Sequence, residues 1–125
     1  MTVNDALFDP ISEKVLKIRG QFVILDRDLA GLYGVDTKVL NQAVKRNTER
    51  FDYDFMFQIT LAEYEESSRS QFVTLKRGQN IKYLPYAFTE LGISMLSSVL
   101  KSEIAIRVNK QIMRYFVHLR KLAGC

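Results

Sequence analysis

Between residues 26 and 47 the chain reads DRDLAGLYGVDTKVLNQAVKRN, and its apolar positions fall into two short helical stripes. Leu29, Ala30 and Tyr33 stand at i, i+1 and i+4, the inward stripe of a first helix. Leu40, Ala43 and Val44 stand at i, i+3 and i+4 and give the second. Gly34-Val35-Asp36 separates them, and Gly34 supplies the positive φ that a tight inter-helix turn needs. Ala30 is small where two helices must approach closely, and Asp26 is placed to cap the first. The opposite side of the second helix carries Lys38, Asn41, Gln42 and Lys45 at i, i+3, i+4 and i+7, so four polar side chains are predicted to project together.

The rest of the chain alternates strand and helix patterns. Residues 1–10 read as a loose leader, fading out by residue 12. Val15 and Ile18, then Phe22, Val23, Ile24 and Leu25, form two β-favouring runs around Arg19-Gly20, a predicted hairpin. Residues 55–59, FMFQI, make a further β run, and Thr60 with Glu63 has the spacing of a capping box, so a short helix starts there. Residues 72–75 and 81–84 flank Lys76-Arg77-Gly78-Gln79-Asn80 and predict a hairpin with a basic tip, closed by Pro85. Thr89 caps a helix through Leu100 with Leu91, Met95, Leu96 and Val99 inward. Ser102 caps a longer one, in which Ile104, Val108, Ile112, Phe116 and Leu119 recur about every four residues. Together these predict a small single α+β domain with a helix-turn-helix, short β-hairpins (one of them wing-like) and a long C-terminal helix.

At 125 residues the chain holds one domain, and 47% hydrophobic with 26% charged residues marks it as globular. No run approaches the ~20 apolar residues a membrane span requires. The opening MTVNDALFDP lacks the basic and apolar regions of a secretory signal, so a cytoplasmic location is expected. The single cysteine, Cys125, excludes an internal disulfide or a cysteine metal cluster, and the single histidine, His118, argues against a zinc site or a Ser–His nucleophile. Asp26, Asp28 and Asp36 lie near one another, as a metal-dependent nuclease would want. Cap and first-turn roles explain the first two better. Neither an enzyme nor a cofactor is expected.

The net charge of +4 is unevenly spread. Residues 101–121 carry Lys101, Arg107, Lys110, Arg114, Arg120 and Lys121 against Glu103 alone, whereas residues 61–66 carry Glu63, Glu65 and Glu66 with no base. One face should attract phosphate and another avoid it. Lys, Asn and Gln are the types that hydrogen-bond guanine and adenine in the major groove. On that footing Thr37, Lys38, Asn41 and Gln42 are candidates for the groove, with Asn41 and Gln42 toward base edges, most naturally adenine. Lys45, Arg46 and the hairpin residues Lys76, Arg77 and Lys82 are candidates for phosphate. An ordinary solvated helix face has the same pattern, and an ordinary polar loop resembles the hairpin tip.

The blocks IRGQFVILDRDLAGLYGV, LNQAVKRN, RFDYDFMFQ, RSQF and YLPYAFTELGISMLSSVL, in that order, carry a resemblance. They are similar to the phage open-reading-frame-six N-terminal domain, related to the KilA-N and BRO-N DNA-binding domains of phages and large DNA viruses. The similarity spans roughly residues 11–100, leaving 101–125 as a C-terminal helix for packing or dimerisation. It implies a small α+β DNA-binding module of phage antirepressor-like and prophage-encoded regulators, often with a separate C-terminal region. It supplies no target sequence and no base-contacting residues. Tyr83, Pro85, Phe88, Gly92 and Leu96 match the family's blocks as core and turn residues. The expected partner is double-stranded DNA, with no membrane association. A homodimer through the last helix would suit a palindromic site. The alternative is a protein-interaction module that antagonises a repressor, using residues 63–66 or the last helix's apolar stripe.

Overall fold

The structure, a computed structural model, describes residues 5–67 and 84–124. Helix α1 occupies Asp5–Lys14 and runs through Pro10, where the pattern predicted a loose leader. Ile11 is fully buried and α1 packs on the last helix, so tertiary burial overrides the breaker signal of the proline. Strands β1 (Leu16–Ile18) and β2 (Gln21–Leu25) then form the predicted hairpin, with Arg19 and Gly20 at φ of 58° and 78°. Two positive φ angles give the turn a twist that matches the strands. For Arg19 that conformation costs about 1 kcal/mol. Its guanidinium is held at the other end, 4.1 Å from the Phe57 ring centroid and paired with Glu63 at 2.7 Å.

Strands β3 (Met56–Gln58) and β4 (Tyr86–Phe88) complete an antiparallel sheet of order β1-β2-β4-β3. The central pair joins Ile24 to Phe88 and Leu25 to Ala87. Alternation along these strands divides the interior in two. Val23, Leu25, Phe57 and Ala87 form a small cluster beneath a short helix, α4 (Leu61–Ser67). Ile24 and Phe88 face the main core, built with α2 (Asp26–Tyr33), α3 (Thr37–Lys45), α5 (Glu90–Leu100) and α6 (Glu103–Gly124).

The caps predicted at Thr60, Thr89 and Ser102 form. Thr60 Oγ1 accepts from the Glu63 N–H at 3.1 Å while Glu63 Oε1 accepts from the Thr60 N–H at 2.9 Å. Thr89 Oγ1 accepts from the Gly92 N–H at 3.3 Å and donates to the Asp54 carbonyl at 2.7 Å; Ser102 Oγ accepts from the Ala105 N–H at 3.0 Å. At the helix starts the apolar stripes are shifted by one or two residues. Leu91 and Ile104 are half-exposed, while Gly92, Ile93 and Ala105 are buried in their place. The predicted hairpin over 72–84 lies, apart from Leu84, outside the described residues. Among the described residues no helix is long and apolar enough to cross a membrane.

Two glycines separate packing from propensity. A Cβ at Gly92 would overlap the Phe55 carbonyl oxygen and lie 2.9 Å from its carbon, whereas one at Gly31 meets nothing within 4 Å. Denaturant unfolding should therefore show Gly92→Ala losing about 3 kcal/mol, and Gly31→Ala, inside α2, gaining about 0.5–1 kcal/mol. The Arg19–Glu63 pair sets a pH dependence. The hydrogen bond from Arg19 holds the Glu63 carboxyl below its ordinary value. A depressed carboxylate stabilises the fold above its unfolded pKa of about 4.3, and that contribution is lost as pH falls through the lower folded value. Glu63→Gln keeps the capping acceptor but not the charge. Its deficit against the parent should be below about 1 kcal/mol at neutral pH and vanish in acid.

Candidate nucleic-acid interface

The position of α3 is set by α2 and the turn after it. α2 buries Leu29, Ala30 and Tyr33 and ends at Gly34, whose φ is 76°. The Gly34 N–H donates to the Gly31 carbonyl at 3.2 Å and the Val35 N–H to the Ala30 carbonyl at 3.0 Å, closing the helix end. Asp36 is extended and its carbonyl accepts from the Val39 and Leu40 N–H groups, starting α3. α3 then stands on Leu40 and Val44, both buried. Behind the turn, the Tyr33 hydroxyl donates to Asn109 Oδ1 of α6 at 2.5 Å, and Asn109 Nδ2 donates to the Ile93 carbonyl of α5 at 2.7 Å. Burial pushes the Tyr33 hydroxyl well above its ordinary pKa, so it remains a donor at any working pH.

At about 100° per residue, Gln42 lies opposite the midpoint of Leu40 and Val44, with Lys38 and Arg46 about 40° to either side. Lys45 and Val39 flank them at about 60°. Lys38, Val39, Gln42, Lys45 and Arg46 are all exposed. Among the described residues no carboxylate lies within ion-pair distance of Lys38, Lys45 or Arg46. The open face is thus three uncompensated cations, one amide and one apolar side chain.

Thr37 and Asn41 do not share that face. Asn41 is rotated about 100° from Gln42 and Thr37 about 140°, and both are only partly exposed. The Asn41 amide turns inward and donates to Asp26 Oδ2 at 3.0 Å. Asp26 is 5% exposed, and its other oxygen accepts from the Arg27 N–H at 2.7 Å. It is the first residue of α2, and Leu25 occupies the N-cap position predicted for it. Spacing alone placed Asn41 with Gln42; a buried acceptor 15 positions earlier claims its side chain. Lys76, Arg77 and Lys82 lie outside the described residues. The residue that polar pattern passes over is Val39, visible beforehand only by counting its angle from Leu40 and Val44.

The other charge expectations divide in the same way. On α6, Arg107, Lys110, Arg114 and Lys121 are exposed, while Arg120 pairs with Glu90 at 2.5 Å. The opposite side of α6 places Ala105, Val108, Ile112 and Phe116 in the main core. Asp28 pairs with Lys14 at 3.7 Å, and burial raises its carboxyl above the ordinary range. Among the described residues no group of three or more His, Cys, Asp or Glu side chains is placed to hold a metal ion.

A family model described as the ORF6N domain matches residues 13–99. No curated protein and no solved structure matches the chain.

The inward turn of Asn41 gives it a structural signature. Asn41→Ala leaves the Asp26 carboxylate without its side-chain partner and should cost about 1–3 kcal/mol in chemical denaturation. A variant as stable as the parent would show that the Asn41–Asp26 bond contributes nothing to the seating of α3.

Proposed function

Because this chain belongs to the ORF6N domain family, we propose that α2 and α3 act as a helix-turn-helix that reads double-stranded DNA. The observation that carries this is the open face of α3, where Lys38, Gln42, Lys45 and Arg46 project together with no acidic partner among the described residues. A helix of this width fits the major groove, where Gln42 makes the paired hydrogen bonds that adenine offers. Lys38 sits beside it toward the helix start and reaches a guanine or a phosphate. Lys45 and Arg46, at the far end, hold the backbone. Asn41 seats the helix through Asp26 instead of touching a base, and Thr37 stands off this face. Lys76, Arg77 and Lys82, outside the described residues, would add further phosphate contacts on this reading.

The protein on this reading is a phage- or prophage-type transcription regulator or antirepressor of the cytoplasm, without enzymatic activity. A repressor-antagonising interaction module draws less support. Glu63 is committed to Arg19, and the centre of the α6 stripe is buried in the core.

Phosphate and base contacts fail differently when removed. Lys45→Ala should weaken binding to every duplex and reduce the salt slope by about one, while Gln42→Ala should cost about 1–3 kcal/mol of discrimination and leave random duplex affinity unchanged. Fluorescence anisotropy on a duplex selected from a random pool, against a scrambled duplex, separates the two. If both variants bind both duplexes as the parent does, α3 is not the reading element.

A further inference from the structure

Val39 is an apolar side chain set among cations and an amide. It is 49% exposed, lies in the first half of α3, and shares the open face with Gln42 at i+3 and Arg46 at i+7. Two costs attach to it. The exposed half of its surface gains nothing from burial, and a β-branched residue in a helix loses side-chain freedom that Ala, Gln or Lys would keep. Residues that disagree with their surroundings on several counts at once concentrate at functional surfaces. Val35, in the turn before α3, is a second exposed apolar residue, 37% exposed. Single exposed apolar residues are ordinary; the position of this one separates it. The N-terminal residues of a helix in the major groove face base edges, and the apolar feature of those edges is the thymine C5 methyl.

Resting on the major-groove reading of α3, we infer that Val39 is a specificity-determining residue that reads thymine. Its methyl groups pack on a thymine C5 methyl while Gln42 hydrogen-bonds the adenine of an adjoining pair. The two positions are about 4.5 Å apart along the helix axis, comparable with one base-pair step of about 3.4 Å. The site read by α3 therefore contains an A·T step. Thymine is told from cytosine there by a methyl contact.

The probe is a duplex selected by the parent from a random pool, in which each thymine is replaced singly by deoxyuridine. That exchange removes the C5 methyl and nothing else. One replacement should weaken the parent about three- to fivefold, the worth of one buried methyl group. Val39→Ala should bind the thymine duplex that much more weakly and bind the deoxyuridine duplex no worse again. Its thermal midpoint should equal or exceed the parent's, since alanine is the better helix former at an exposed position. A parent indifferent to every deoxyuridine, or a Val39→Ala variant with full methyl sensitivity, overturns the inference. The groove reading survives that result if Lys45→Ala still weakens the complex. If Lys45→Ala and Gln42→Ala also bind as the parent does, the groove reading falls and the inference with it.

Discussion

The Tyr33 hydroxyl donates to the Asn109 amide oxygen inside the core, and the Asn109 nitrogen continues to the Ile93 carbonyl. This relay joins the last residue of α2 to both C-terminal helices at the point where the chain turns into α3. Hydrophobic contact would accept several orientations of α2 against α6. Two directional bonds made in a dry interior accept few, because a displaced partner would be left buried and unpaired. The orientation of α3 follows, since only Gly34, Val35 and Asp36 separate it from Tyr33. The surface that faces outward is thus defined from the inside.

Pairing sorts the cations of this molecule more than their number does. Lys14, Arg19 and Arg120 each have a carboxylate partner, while Lys38, Lys45 and Arg46 on α3 have none among the described residues. The first group ties elements together, and Arg19 also covers an aromatic ring. The second leaves its field directed into solvent, where a polyanion could use it. Asp26 is buried and accepts from the Asn41 amide of α3.

Local rules were readable because their partners lie close in sequence. Thr60 with Glu63, Ser102 with Ala105, and the Arg19-Gly20 turn each report on neighbours within three residues. The α2 stripe and, in α3, Leu40 and Val44 are legible for the same reason, whereas Ala43 is only partly buried. What failed needed distant information. α1 depends on burying Ile11 against α6, which Pro10 in the sequence argues against. Leu91 and Ile104 are apolar enough to face inward, yet Ile93 and Ala105 fit the helix phase set by Thr89 and Ser102. Asn41 shows the limit at the site itself. Its spacing matches Gln42, and nothing in the spacing tells that Asp26 is near.

β2 runs directly into α2, and its neighbour β4 begins only at Tyr86, so the whole of α2 and α3 is inserted between two adjacent strands. Closing so long a loop costs only modestly more than closing a short one, but such non-local pairing slows folding. During synthesis, residues 26–47 would leave the ribosome well before either strand β4 or Asn109 exists to hold them. The α3 surface is therefore a late product of assembly. The nascent chain would lack a seated α3 until most of its length had emerged, and the same two helices cut out as a peptide would lack their anchorage.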